Sequence, residues 1–171
     1  MKRFFTVLLF ALFVFSVVLN VIQFNNKKRI SDSISHYIIA NVQQLANVYE
    51  GMYTNDEPNR FFESSLNNAI GICDNMEEEF DFYSVIYPKR DMFLEYVIDD
   101  YKLLMRTMKN KPDLIEDAQV LHKQLQQYIL SYVDYGNNSA KMLYETDKQI
   151  KEKDNGTRHL LHHEIVKLSK R

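Results

Sequence analysis

Residues Phe4 to Phe24 read FFTVLLFALFVFSVVLNVIQF and contain no charged side chain. At a rise of about 1.5 Å per residue, a helix of this length is roughly 30 Å long, which matches the hydrocarbon core of a bilayer. A secretory signal peptide has a shorter apolar stretch followed by a pair of small residues for cleavage, and this stretch ends without such a pair. The sequence therefore predicts a transmembrane helix over residues 4–24, preceded by a short tail of residues 1–3.

The charges that flank this helix bear on its orientation. Lys2, Arg3 and the α-amino group precede it, and Lys27, Lys28 and Arg29 follow it, so the two sides are equal under the positive-inside rule. A tail of three residues is typical of a signal anchor, which places the N-terminus in the cytoplasm. We therefore expect a single-pass protein of the cell membrane that contacts lipid through this helix and has the bulk of its chain on the extracytoplasmic side.

The rest of the chain has the composition of a helical domain. About 140 residues follow the anchor, which is the usual size of one domain. Glycine (4) and proline (3) are scarce, whereas a β-sandwich or β-barrel needs many turn residues. Helices are predicted over residues 25–52, 58–83 and 89–110, with Pro58 in the first turn of the second, and a fourth helix from residue 113 onward.

Each predicted helix carries an apolar stripe with steps of three and four residues. These steps place the stripe on one side of a helix, with the spacing of a coiled coil. The chain is therefore predicted to be all-α, with residues 25–153 forming an antiparallel bundle of about four helices. The stripes are Ile34, Ile38, Val42, Leu45, Tyr49 and Met52; Phe62, Leu66, Ala69, Cys73, Met76 and Phe80; Phe93, Val97, Tyr101, Leu104 and Met108; and Leu114, Ala118, Leu121, Leu125, Tyr128 and Tyr132.

The C-terminal part of the pattern leaves one alternative open. The fourth stripe keeps its register through Gly136, Leu143, Asp147 and Ile150, so the helix either continues for about 40 residues or breaks at residues 136–138. Asn155-Gly156 is a helix-ending signal, after which Thr157 can cap a last short helix. Residues 154–171 are thus predicted to form a basic amphipathic helix. An up-down path would return this helix to the bilayer, where its basic residues fit anionic lipid.

Charge is unevenly distributed along the chain. Residues 56–117 contain 15 acidic and 7 basic side chains, a net charge of −8, which argues against a nucleic-acid partner because phosphate binding needs clustered Lys and Arg. Within this region Asp74, Glu77, Glu78, Glu79 and Asp81 form an acidic cluster. Such a cluster is either a solvated helix face or a surface that attracts a basic partner or Ca²⁺.

The most site-like sequence motif is His159-Leu-Leu-His162-His163. On a helix, His159 and His163 share a face, and two such imidazoles can hold Zn, Cu or Ni if His162, Glu164 or another helix supplies a further ligand. The alternative is a polar, titratable helix face.

Other residues have structural explanations in the first place. Cys73, the only cysteine, lies on an apolar stripe and is expected to be a buried thiol. His36 and His122 are expected to be solvated or structural. Three tyrosines, Tyr128, Tyr132 and Tyr135, are placed where they could line a groove between helices.

No catalytic or cofactor motif is present in the sequence. Phosphate-cradling glycine motifs are absent, and no histidine follows a glutamate at the spacing of a di-iron bundle. We therefore expect a non-enzymatic, cofactor-free, membrane-anchored module that binds a protein partner or senses a ligand on the outer side. Its layout is similar to the ligand-sensing halves of bacterial receptors. The alternative is a module that binds a small molecule or metal in the bundle interior or at the histidine cluster.

Overall fold

The computed structural model describes the backbone of residues 2–55, 57–86, 92–134 and 140–171, and their side chains except those of residues 2–8, 134, 140 and 141. This part of the chain is all-α, as predicted, apart from one hairpin whose two strands have two residues each. Its elements are α1 (Lys2–Ala46), α2 (Val48–Met52), β1 (Tyr53–Thr54), β2 (Glu57–Pro58), α3 (Phe62–Ile86), α4 (Phe93–Asn110), a 3₁₀ turn (Pro112–Leu114), α5 (Ile115–Asp134), α6 (Ala140–Lys153) and α7 (Thr157–Ser169).

Helix α1 has two halves with different surroundings. Residues 9–24 are exposed on every side, including Phe10 and Phe24 at 69% each, whereas Ser31 and the stripe residues after it are buried on one side. Among the described residues, this is the one helix that is long and apolar enough to cross a membrane. We call residues 4–24 the apolar segment. The bundle therefore has a near end, which faces this segment, and a far end.

Helix α3 runs back along α1 towards the near end. The side-chain amide of Asn41 in α1 donates to the carboxylate of Glu79 in α3 at 3.1 Å. At the other end of α3, the hydroxyl of Ser65 donates to the carbonyl of Gly51 at 3.1 Å. These two contacts fix an antiparallel pair.

The remaining long helices complete a ring in which α3 packs on α4, α4 on α5 and α5 on α1. Tyr101 of α4 contacts His122 of α5, and the rings of Phe93 and Tyr128 are 5.9 Å apart, so these helices are also antiparallel. The predicted antiparallel bundle is thus confirmed. All residues of the four predicted stripes lie in or against one core.

The connection between α2 and α3 differs from the prediction. Pro58 does not lie in the first helical turn but in β2, where it pairs with Tyr53, and the turn is closed by Asn55 in the left-handed region (φ 53°). The helix is started instead by Asn59, whose side-chain oxygen accepts from the backbone N–H of Phe61 at 2.8 Å. An asparagine oxygen can satisfy a helix-terminal N–H, which proline has no means of doing.

The path of the C-terminal third decides between the two alternatives that the sequence leaves open after α5. Helix α5 ends at Asp134 and α6 begins at Ala140, and the two are antiparallel because Tyr132 contacts Asp147 and Tyr128 contacts Asp154. The chain therefore reverses between α5 and α6 instead of continuing as one helix; residues 136–138, where the break was considered, lie outside the described residues. The reversal adds a further segment, α6 and α7, to the four-helix ring.

This reversal carries the C-terminus to the far end of the bundle. Helix α7 runs alongside α4 in the same direction, so that Ser169 accepts a hydrogen bond from Lys111 at 2.8 Å, and Arg171 pairs with Asp117 at 2.8 Å. The expected return of the C-terminal helix to the bilayer was therefore wrong, because an extra passage through the bundle separates α5 from α7.

Candidate functional site

The three histidines of the C-terminal helix do not converge in the structure. His162 is half-buried, and its Nδ1 lies 2.5 Å from a carboxylate oxygen of Asp100, whereas His159 and His163 are exposed. Among the described residues, no group of three or more His, Cys, Asp or Glu side chains is arranged to hold a metal ion. A metal site at His159, His162 and His163 stays a prediction.

Asp100 is the centre of a buried ion cluster that sequence reasoning missed. Its side chain is 1% exposed, and Arg158 of α7 donates from Nε at 2.9 Å to the oxygen that His162 does not contact. The Arg158 guanidinium also reaches the carbonyl of Tyr96 at 3.2 Å and lies over its ring. Both carboxylate oxygens are thus occupied, and the cluster fastens α7 to α4.

A second buried polar group lies between β1, α4 and α5. The hydroxyl of Tyr101 is 2.6 Å from Nε2 of His122, and Tyr53 is 3.4 Å from Nδ1 and donates to Met108. This set of partners assigns the Nδ1–H tautomer to a neutral imidazole. Burial lowers the pKa of His122 to about 3 and raises that of Tyr101 well above its ordinary value. Of the two expectations for His122, solvated or structural, its burial and its partners support the structural one.

The third buried polar group holds the start of α4. The carboxylate of Asp147 in α6 accepts from the backbone N–H groups of Phe93 at 2.8 Å and Leu94 at 2.7 Å, and from the Tyr132 hydroxyl at 2.7 Å. It therefore caps α4 from another helix. Burial raises the pKa of Asp147 against the lowering effect of these hydrogen bonds.

The acidic cluster predicted from the sequence splits into two sets. Asp74 and Glu77 pair with Lys102 of α4, with Asp74 at 2.6 Å, and these pairs raise the pKa of Lys102 against the effect of its burial. Glu79 accepts hydrogen bonds from Asn41, while burial raises its pKa. Glu78 and Asp81 point outward and make no ion pair within the part of the chain that the structure describes.

These two unpaired carboxylates flank an exposed apolar pair on the outward side of α3. Phe82 is 66% exposed and Val85 is 78% exposed, and together with Glu78 and Asp81 they line a shallow depression of about 280 Å³. The four residues follow one another at helical spacing, on the side of α3 opposite its core stripe. We call Glu78, Asp81, Phe82 and Val85 the α3 patch.

Other exposed apolar residues in the described part of the bundle lack the flanking carboxylates or the apolar neighbour that the α3 patch has. Phe61 is partly covered by the guanidinium of Arg60, 4.5 Å from the ring centre. Leu160 and Val120 are 69% and 62% exposed, and neither has an uncompensated carboxylate on each side. The α3 patch alone among these combines adjacent apolar side chains with flanking negative charge, an arrangement that can form the apolar centre and the polar rim of a protein-binding surface.

A groove runs between α5 and α7. Tyr128 lines it, as predicted, together with Leu161 and the polar residues Gln124, Gln127, Ser131 and Thr157, and its volume is about 390 Å³. The Tyr128 hydroxyl donates to Asp154 at one edge. Tyr132 is buried against Asp147 and does not line the groove, and Tyr135 lies outside the described residues.

The sequence contained a signal for the α3 patch that periodicity alone passes over. Phe82 and Val85 are large apolar residues on the predicted polar side of α3, which breaks the binary pattern of an amphipathic helix.

Cys73 is fully buried, as expected, and burial raises the pKa of its thiol.

The chain matches no protein-family model, and no curated protein or solved structure matches it.

Proposed function

We propose that this chain is a non-enzymatic membrane protein that crosses the cell membrane once through residues 4–24 and presents its bundle on the outer side as a protein-binding module. The observation that carries the proposal is the α3 patch, where Phe82 and Val85 are exposed between the carboxylates of Glu78 and Asp81. The exposed apolar half of α1 supports the span, because an apolar surface of this extent is not left in water.

The chemistry of the patch supports one kind of partner. An apolar side chain of the partner fits the depression beside Phe82, and Lys or Arg on either side of it meets Glu78 and Asp81. The partner segment is therefore a basic amphipathic helix. A standard interface covers roughly 800 Å² per partner, so the α3 patch serves as its centre and the paired carboxylates beside it as part of its rim.

The height of the patch above the apolar segment suggests where this helix comes from. Because Glu79 lies opposite Asn41, residues 78–85 are level with roughly residues 35–42 of α1. This level is about 17–27 Å beyond Phe24 along the helix axis. A helix that leaves the same membrane reaches that height within its first few turns, so the partner is a second membrane protein with a basic juxtamembrane helix.

Photo-crosslinking in native membranes tests this function. We expect p-benzoylphenylalanine at position 82 to crosslink one protein, through a peptide with basic and apolar residues at helical spacing. The adduct should disappear when Glu78 and Asp81 are changed to Lys. The same probe at Leu160, which is equally exposed on another face, is the matched control. An identical adduct from position 160, or an adduct that survives the charge reversal, would disprove the proposal.

A separate labelling experiment determines on which side of the membrane the bundle lies. In a Cys73→Ser background, Thr54→Cys places a single thiol in the exposed hairpin at the far end. Labelling of intact cells by a membrane-impermeant maleimide is expected. Labelling that requires lysis would place the bundle in the cytoplasm and contradict the outer-side assignment.

The groove between α5 and α7 supports a second candidate function, the binding of a small neutral molecule. Its volume of about 390 Å³ falls within the usual range of ligand sites, and its lining combines apolar surface with amide and hydroxyl groups, which suits a neutral ligand that has both apolar and hydrogen-bonding parts. A thermal-shift screen with monosaccharides and amino acids tests it. A stabilising compound should lose its effect in Gln124→Ala, Gln127→Ala, and no stabilising compound in the panel would count against this function.

A further inference from the structure

A shallow, open groove lies between side chains on the exposed side of α1, just beyond the apolar segment. It has a volume of about 450 Å³ and is lined by residues of this one helix, which include Asn25, Lys28, Arg29, Asp32 and His36. These residues recur at three- and four-residue steps, so they form one polar stripe on the helix. The stripe lies away from the core residues Ile38 and Val42, and it is therefore open to whatever surrounds α1.

The position of this groove along the membrane normal is set by the helix itself. Helix α1 is unbroken from Lys2 to Ala46, so each residue has a fixed height above Phe24. Lys28 and Arg29 are about 6–7.5 Å beyond Phe24 along the axis. The headgroup layer on one side of a bilayer is roughly 5–7.5 Å thick. If residues 4–24 fill the hydrocarbon core, both cations lie at the level of the lipid phosphates.

The charges along the stripe are ordered by height. The two cations are closest to the apolar segment, and Asp32 lies about one helical turn farther away. An anion that enters from the membrane side therefore meets Arg29 and Lys28 before it meets a carboxylate. A guanidinium binds phosphate oxygens in pairs, an ammonium binds as a point charge, and the Asn25 amide supplies a neutral donor. This donor set suits a phosphodiester.

The other basic end of the chain is too far away to share this role. Lys170 and Arg171 follow Ser169, which is bonded to Lys111 at the far end of the bundle, and Arg171 is paired with Asp117. The sequence allows either basic end to lie near lipid. The structure leaves only the N-terminal set at the end of the bundle that faces the apolar segment.

We propose that the groove at Asn25, Lys28 and Arg29 binds the phosphodiester headgroup of an anionic phospholipid in the leaflet from which the bundle emerges. This inference rests on the membrane span of the proposed function and is independent of the protein partner and of the α3 patch. Occupancy of the groove would fix the height of α1 in the bilayer and hence the height at which the bundle is presented.

The test compares two spin-labelled lipids around the full chain in phosphatidylcholine bilayers. Electron paramagnetic resonance measures the fraction of each lipid that is motionally restricted by the protein. We expect spin-labelled phosphatidylglycerol to associate roughly fivefold more strongly than spin-labelled phosphatidylcholine. Lys28→Gln with Arg29→Gln should bring this ratio close to one, and the control pair Lys167→Gln with Lys170→Gln, at the far end, should leave it unchanged.

Each other outcome overturns the inference. Equal association of the two lipids with the native chain, or loss of selectivity in the control pair, would show that Lys28 and Arg29 form no headgroup site. Displacement of phosphatidylglycerol by an excess of inorganic phosphate at constant ionic strength would assign the groove to a free anion instead. Resistance of the chain to alkaline extraction from the same bilayers is scored separately, so a failed span is distinguished from a failed lipid site.

Discussion

Two sets of carboxylates in this bundle are used in opposite ways. Asp100 and Asp147 are almost fully buried, and each oxygen of both side chains contacts a partner in another helix. Glu78 and Asp81 are exposed beside Phe82 and are unpaired within the described residues. The buried set holds α6 and α7 on the helical ring, while the exposed set contributes nothing visible to the fold. The difference predicts that the first set controls stability and the second controls binding.

Loss of the Asp147 carboxylate should have the largest effect. Asp147→Ala leaves the N–H groups of Phe93 and Leu94 and the Tyr132 hydroxyl without their acceptor in a buried place. We expect the free energy of unfolding to fall by about 3–5 kcal/mol. Urea unfolding of the full chain in detergent, followed by circular dichroism, measures it.

The neighbouring residue offers a control for this variant. Lys148 is exposed and, among the described residues, makes a single long ion pair, with Glu152 at 3.7 Å, so Lys148→Ala should change stability by less than about 0.5 kcal/mol. Similar losses in the two variants would mean that α6 contributes through its helix as a whole, and the special role of the buried carboxylate would be wrong.

Asp100→Asn should have the next largest effect. The amide keeps the shape of the side chain but leaves Arg158 without its counter-ion, so we expect a loss of about 2–3 kcal/mol. Hydrogen exchange should rise in α7 more than in α3. Asp99→Asn is the control, because partial burial and the neighbouring carboxylates of Glu77 and Asp100 raise the pKa of Asp99, so removing its charge should not destabilise the protein.

The buried histidine predicts a loss of stability in acid. His122 has a pKa of about 3 in the folded chain and an ordinary value near 6.5, so unfolding takes up a proton once the pH falls below about 6.5. Its contribution is fully present above that pH and is lost progressively down to about 3. At pH 5 the free energy of unfolding is lower by about 2 kcal/mol than it is above pH 6.5.

Unfolding of the wild type and of His122→Gln at about pH 7.5 and pH 5 checks this prediction. The glutamine amide keeps hydrogen-bonding groups near Tyr101 but does not titrate, so the variant should lose less stability between the two conditions. Asp147, whose pKa is raised, acts in the opposite direction, because its contribution is lost as the pH rises. An equal loss in both proteins would mean that the acid sensitivity has another source.

The sequence predicted the helices well because helical periodicity is a local property. Every predicted stripe residue from Ile34 to Tyr132 lies in or against the core. The reversal after α5 was not predictable in the same way, since the stripe keeps its register whether the chain continues or turns back. Asp147 carried the missing information: an acidic residue on an apolar stripe must find buried partners, and here these are two N–H groups of α4 and the hydroxyl of Tyr132.

The candidate site was predictable only in part, for a related reason. Composition located the acidic cluster, but Lys102 neutralises Asp74 and Glu77 from another helix, and sequence spacing does not show which carboxylates stay free. Likewise, the histidines of α7 share a sequence motif, but His162 is hydrogen-bonded to Asp100. Pairing across helices therefore decided which charged residues remain available for a partner.

The variant with the smallest expected effect on stability tests most directly whether the exposed carboxylates serve binding and the buried ones serve stability. Glu78→Gln with Asp81→Gln removes two charges one helical turn apart that repel each other, so stability should rise or fall by less than about 0.5 kcal/mol, while crosslinking through position 82 should be lost. Asp74→Asn on the same helix is the control, because it removes a partner of the partly buried Lys102 and should lower stability without abolishing the crosslink. A loss above about 1 kcal/mol in the double variant would show that the fold does use these carboxylates. They would then belong with Asp100 and Asp147, and the α3 patch would lose the feature that distinguishes it as a binding surface.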